Sequence, residues 1–254
     1  NVSVNGSSIN ADAALIIGTK IILPFPSVGT TENIIIASAI SKGKTVIVNP
    51  AREPEISDLA DFLNHCGAKI YGPGESTIVI DGVNSLYPYE HTIIPDRILA
   101  STYMSLGAVC SKELTVNNIR QSHLSPVFPV FNEMGCKIYL SDNSLTLVSP
   151  KRLKRVKSIK TMPYPGFPTD SQSPVAVALS LAKGTSILQE TIFENRFRYV
   201  SELNRFGTDI EIKDNIAVIN GVDKLHCANV HATDLRGGAA LVVAALCASG
   251  ESNI

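Results

Sequence analysis

Apolar positions along the chain switch between two periods, and they do so three times. Hydrophobic side chains recur at three- and four-residue spacing over Ile56, Leu59, Phe62 and Leu63, then over Leu124, Val127, Val130, Phe131 and Met134, then over Phe193, Phe197, Val200 and Leu203. That spacing predicts an amphipathic helix in each place. Each pattern stops at a glycine (Gly67, Gly135, Gly207), with an asparagine three places earlier (Asn64, Asn132, Asn204). A glycine just past the last turn takes the left-handed C-terminal cap at the least cost. The glycines lie 68 and 72 residues apart, so the chain reads as a repeat. Alternating patterns follow each glycine, at 69–71 with 77–80, 137–140 with 145–148, and 209–212 with 216–219. Turn formers such as Gly72-Pro73-Gly74, Ser141-Asp142-Asn143 and Asp214-Asn215 join them, which predicts hairpins.

Upstream of each amphipathic helix, one further strand is expected at 45–49, 113–117 and 186–189. Before it lies a helix apolar nearly all round, at 32–42, 97–106 and 171–183, and a fourth at 235–248. Helices of that kind belong in a core. The unit is helix, strand, helix, strand, strand, with one more strand per unit, for example 92–94. The fourth apolar helix is followed by Ser249-Gly250 as the third is by Lys183-Gly184, and the sequence stops where a fourth unit's strand is due. The expectation is a fragment of a longer repeat protein, cut at both ends.

Composition narrows the function. Hydrophobic residues make up 44% and charged residues 18% of 254, enough to bury a core. A formal charge of −1 argues against non-specific binding of nucleic acid. There is no apolar run long enough for a membrane span, and Asn1-Val2-Ser3-Val4-Asn5-Gly6 has no signal-peptide pattern. The cysteines Cys66, Cys110, Cys136, Cys227 and Cys247 are odd in number and lack Cys-x-x-Cys spacing, which reads as buried, reduced thiols of a cytoplasmic protein. The five histidines are scattered, so no metal site is expected.

Three helix starts carry candidate chemistry. Ser27-Val28-Gly29-Thr30-Thr31 could present backbone N–H groups to an anion, or Thr30 or Thr31 could simply cap the helix. Pro163-Tyr164-Pro165-Gly166-Phe167-Pro168-Thr169-Asp170 is a stiff loop able to hold the Asp170 carboxylate in place, unless Asp170 is only a cap. Thr233-Asp234-Leu235-Arg236 could offer a cap at Asp234 and a bidentate grip on an anion at Arg236, or merely a local ion pair. Arg52 and Arg120 stand 15 residues before their glycines, whereas the third copy has Ile192 there, a sign of a specialised copy. The basic run 151–160 lacks interleaved aromatics and fits a solvated strand edge guarded by lysines.

Six strings taken together resemble the UDP-N-acetylglucosamine 1-carboxyvinyltransferase family: Pro26-Ser27-Val28-Gly29, Ala51-Arg52-Glu53-Pro54-Glu55-Ile56, Ile94-Pro95-Asp96-Arg97, the 163–170 loop, Phe193-Glu194-Asn195-Arg196-Phe197 and Ala232-Thr233-Asp234-Leu235-Arg236. The resemblance implies an α/β fold, the inverse α/β prism of enolpyruvyl transferases, with repeated βαβαββ units in two domains. It divides the chain at 1–94, the end of one domain, and 95–254, most of the other. It implies transfer of the enolpyruvyl group of phosphoenolpyruvate to the 3-hydroxyl of UDP-N-acetylglucosamine, with release of phosphate and with no metal or other cofactor.

By the same resemblance, Asp170 is the general base at the sugar hydroxyl. Phe25, Pro26, Ser27, Val28 and Gly29 contact the nucleotide-sugar diphosphate, with Phe25 standing where some relatives have a cation. Ile192 contacts the sugar, and Arg196, Asp234 and Arg236 line the cleft. The family's phosphoenolpyruvate-binding Lys-Asn pair and proton-donating cysteine loop would precede residue 1, and a further arginine would follow Ile254. The polypeptide alone is therefore expected to be inactive. Two other readings stand beside this one: a non-catalytic nucleotide-sugar-binding paralogue, and a nucleic-acid binder using 151–160, which would require steep salt dependence.

Overall fold

The structure, a computed structural model, describes residues 2–11 and 15–254. The chain divides into two compact units, Asn1–Ile94 and Pro95–Ile254. In the first, β1 (Val2–Asn5) and β2 (Ser8–Ala11) form an exposed antiparallel hairpin. Then follow β3 (Lys20–Ile22), α1 (Val28–Ala39), β4 (Lys44–Val48), α2 (Pro54–His65), β5 (Lys69–Tyr71) and β6 (Thr77–Asp81). The sheet order is β3-β4-β6-β5, with β3 parallel to β4 and the other pairs antiparallel. Strand alternation sends Ile47, Ile78 and Ile80 inward onto Ile35 of α1 and Ile56 and Ala60 of α2.

The second unit contains α3 (Arg97–Cys110), β7 (Glu113–Asn117), α4 (Gln121–Leu124), α5 (Phe128–Glu133), β8 (Lys137–Ser141), β9 (Ser144–Val148) and β10 (Ser158–Lys160). A 3-10 turn (Thr169–Ser171) leads into α6 (Gln172–Ser180), followed by β11 (Thr185–Gln189), α7 (Val200–Asn204), β12 (Asp209–Lys213), β13 (Ile216–Asn220) and α8 (Leu235–Cys247). Its sheets run β7-β9-β8 and β10-β11-β13-β12; the latter repeats the order and directions of the first unit's sheet. The helices α3, α6 and α8 pack on one another, and every residue of α6 is buried. Apolar helices thus occupy the middle, with sheets packed around them, as the all-round hydrophobicity of these segments requires. Beyond α8, parallel bridges His226–Ser249 and Asn229–Asn253 reproduce the Lys154–Lys183 bridge beside β10 and β11.

The repeat signature has a physical basis. Gly67, Gly135 and Gly207 all have positive φ, at 103°, 90° and 86°. Asn64 exchanges two hydrogen bonds with the Ile70 backbone, and Asn204 donates to the Ile210 carbonyl, so each ties its helix end to the strand that follows. Two further glycines are close-approach sites: a Cβ on Gly82 would sit 1.8 Å from the Ser41 carbonyl oxygen, and on Gly221 1.5 Å from that of Ala182.

Several expectations need correction. The helix expected at 32–42 begins at Val28, because Ser27 caps it. The second amphipathic pattern is two short helices, broken around Pro126, which has no N–H to donate. In the third copy only Val200–Asn204 is helical, and 194–199 form turns. Residues 92–94 form no strand; the extra strands are β3 and β10. The basic run does end in an edge strand, β10, with Ile159 buried between exposed Ser158 and Lys160. Of the cysteines, Cys66 and Cys136 are buried, but Cys110 and Cys227 are exposed and Cys247 is half-buried, so the reading of all five as buried is wrong. Burial pushes the Cys136 thiol up to about 11.

Candidate functional site

The site in the second unit is built on the loop before α6. Met162 N–H donates to the Phe167 carbonyl at 2.9 Å and Gly166 N–H to the Pro163 carbonyl at 2.8 Å, so the loop closes on itself. The Tyr164-Pro165 peptide is cis, the Tyr164 hydroxyl donates to the Ser122 carbonyl at 3.2 Å, and the Arg97 guanidinium lies 5.5 Å from the Tyr164 ring centroid. These contacts fix the loop to α3 and α4. Asp170 emerges from it in the 3-10 turn, and its side chain makes no capping bond to α6.

Instead, Asp170 is held between two arginines. Arg196 Nη2 pairs with Oδ1, and Arg236 Nη2 lies 2.9 Å from Oδ2. The Arg236 contact rules out the local Asp234–Arg236 pair considered from sequence. Asp234 is the N-cap of α8, accepting from Arg236 N–H and Gly237 N–H at 3.0 and 2.9 Å, and so sets where Arg236 starts. Arg196 sits in the 194–199 turns with its guanidinium 5.2 Å from the Phe193 ring centroid, and its buried Nε has no hydrogen-bond partner among the described residues. The Asp170 side chain is 35% exposed. Each carboxylate oxygen has two lone pairs, so a hydroxyl can still bond Asp170 alongside the arginines. An open pocket of about 560 Å³ is lined by Ile192, Phe193, Arg196, Arg198 and Asp234, among others. The third copy's missing helix is thus replaced by a pocket wall.

Phe25, Pro26, Ser27, Val28 and Gly29 lie in the first unit, at the start of α1. Ser27 Oγ accepts from Thr30 N–H at 3.3 Å and is the cap, in place of Thr30 or Thr31. Phe25 and Gly29 are exposed, and a Cβ on Gly29 would meet nothing within 4 Å. The segment offers N–H groups at a positive helix end, with no cation of its own. Among the described residues, no group of three or more His, Cys, Asp or Glu is placed to hold a metal ion.

The family model for EPSP synthase (3-phosphoshikimate 1-carboxyvinyltransferase) matches residues 2–254. The chain belongs to the EPSP synthase family. Curated relatives include UDP-N-acetylglucosamine 1-carboxyvinyltransferase 2 of Caldanaerobacter subterraneus subsp. tengcongensis, 51% identical over 92% of this chain and 56% of that protein. UDP-N-acetylglucosamine 1-carboxyvinyltransferase of Finegoldia magna is 48% identical over 94% of this chain and 57% of that protein. The resemblance read from the six strings therefore holds. The chain spans 56% and 57% of the length of these two curated relatives. The enolpyruvyl transferase NikO from Streptomyces tendae superposes over 98% of this chain and 62% of its own, with TM-score 0.87 at 24% identity, and shares the fold.

In this EPSP synthase family member one organising residue escaped the sequence reading. Glu190, 1% exposed, accepts at Oε1 from Thr161 Oγ1 (2.9 Å), Ile192 N–H (2.8 Å) and Phe193 N–H (3.2 Å). At Oε2 it accepts from Thr169 Oγ1 (2.8 Å) and Gln172 Nε2 (3.3 Å). One carboxylate thereby joins the Asp170 loop to the pocket wall. Gln172 in turn accepts from the Tyr199 hydroxyl at 2.8 Å; burial, reinforced by the Glu190 carboxylate and opposed by Arg196, pushes the Tyr199 phenol up and keeps it a donor. A signal was present: Ser186, Leu188 and Glu190 share the buried phase of β11 and its continuation, and an acidic residue in that phase needs donors.

Proposed function

We propose that these 254 residues are part of a longer cytoplasmic enolpyruvyl transferase that adds the enolpyruvyl group of phosphoenolpyruvate to the 3-hydroxyl of UDP-N-acetylglucosamine. That reaction opens peptidoglycan synthesis and so serves cell-wall growth, shape and division. The observation that carries the reading is the Asp170 carboxylate, fixed by Arg196 and Arg236 beside an open pocket. Support comes from relatives 45–51% identical that are named for this activity. The greater length of those relatives supports the longer chain.

In the first step the sugar oxygen bonds C2 of phosphoenolpyruvate, and a proton is added at C3. The hydroxyl proton becomes acidic as the C–O bond forms, and Asp170 accepts it; a carboxylate is too weak a base to remove it earlier. In the second step a C3 proton leaves and the bond from C2 to the phosphate oxygen breaks, releasing phosphate. Arg196 and Arg236 stabilise the charge around the tetrahedral intermediate. Ile192 packs on the sugar, Asp234 holds Arg236, and Phe25, Pro26, Ser27, Val28 and Gly29 meet the diphosphate at the N-terminus of α1. No helix among the described residues is long and apolar enough to cross a membrane.

The test is phosphate release by the full-length protein. Phosphate should appear from phosphoenolpyruvate only when UDP-N-acetylglucosamine is also present. Nucleotide-sugar binding with no phosphate released would favour the non-catalytic paralogue instead.

A further inference from the structure

Cys110 is the last residue of α3 and Cys247 the last of α8, and no part of the proposed reaction uses either. They are 137 residues apart in sequence, yet their sulfurs lie 2.8 Å apart. That is about 0.8 Å longer than a disulfide bond of about 2.05 Å. Cys110 is exposed and Cys247 half-buried, so one sulfur can meet a solute and the other waits behind it. Cys110 ends its helix against an extended Ser111. The Cys247 thiol donates to the Val243 carbonyl oxygen at 3.0 Å and is hydrogen-bonded to the Cys110 sulfur, a bond in which either sulfur can be the donor. Its hydrogen bond to Cys110 lowers the Cys110 thiol below the usual cysteine range. Exposure together with thiolate character is what makes a cysteine reactive.

We propose that Cys110 and Cys247 form a reversible dithiol–disulfide site that closes when the protein meets hydrogen peroxide. The Cys110 thiolate attacks one peroxide oxygen; the O–O bond breaks, giving Cys110 sulfenic acid and, after protonation, one water. The Cys247 sulfur then attacks the Cys110 sulfur; the S–S bond forms, the S–O bond breaks, and a second water leaves. Two thiols are oxidised by two electrons and the peroxide is reduced to two waters. The dithiol is the resting form in a reducing compartment, and a small thiol reopens the bond by exchange. The bond ties together the C-terminal ends of two of the second unit's three packed helices. One of them, α8, carries Arg236 in its first turn. The site does not depend on the proposed reaction, and its test requires no activity.

The purified full-length protein is treated with hydrogen peroxide at neutral pH, its remaining thiols are alkylated, and a non-reducing digest is mapped by mass spectrometry. The Cys110 and Cys247 thiols should be lost together within one chain, their peptides should appear joined, and dithiothreitol should restore both. Exposed Cys227 is the internal control and should remain open to alkylation. Cys110→Ser and Cys247→Ser should each abolish the linkage. The proposal is overturned if the Cys110 and Cys247 thiols both persist, if Cys110 proceeds to sulfinic acid unlinked, or if either is joined instead to another cysteine or to a separate chain. The wild-type map decides the question even if a variant folds poorly.

Discussion

Asp170→Ala in the full-length protein should lower turnover about 10²–10⁴-fold, the range for loss of a general base. Asp170 caps nothing, its loop is closed by its own backbone bonds, and its partners Arg196 and Arg236 are themselves partly exposed. Stability should therefore change little while chemistry fails. Asp170→Asn separates two roles the carboxylate could have. The amide still fills the space and accepts from one arginine, but it cannot take a proton. Turnover should fall nearly as far as in the alanine variant, with the unfolding midpoint close to wild type. If Asp170→Asn keeps most of the turnover, the carboxylate only clamps two arginines.

Glu190→Ala should have the largest effect on stability, a loss of about 3–5 kcal/mol, as when one partner of a buried charged network is removed. The part-buried Ile192 and Phe193 amides would also lose their acceptor. The Thr161 and Thr169 hydroxyls can turn to other partners; the backbone amides cannot. Glu190→Gln keeps one oxygen for those amides and should lose much less. Turnover should fall in both variants, because the Asp170 loop and the Ile192 wall lose their common anchor. Urea unfolding of the two variants beside wild type makes the comparison. Equal midpoints for Glu190→Ala and wild type would show that the network carries no stability.

The repeat was legible because its markers are local. Gly67, Gly135 and Gly207 cap helices, and the hairpins after them follow from alternation and turn chemistry. Asp170, Arg196, Asp234 and Arg236 were legible from strings, and the structure brings Asp170, Arg196 and Arg236 into contact across 26 and 66 residues of sequence. What escaped was set by tertiary competition. Residues 193–199 have a helical pattern, yet 194–199 form turns and only Val200–Asn204 is helical. The second amphipathic helix broke at a proline that periodicity ignores. Cys110 and Cys247 met because two helices end side by side, which neither helix's own sequence records.

The central claim is that Asp170 bonds the sugar's 3-hydroxyl. The direct measurement is a coupling cycle: calorimetric affinities of wild type and Asp170→Ala for UDP-N-acetylglucosamine and for its 3-deoxy analogue. The account predicts that wild type loses about 1.5–3 kcal/mol with the analogue, as for a hydrogen bond to a charged group, and that Asp170→Ala binds both sugars alike. An equal loss in both proteins would contradict it.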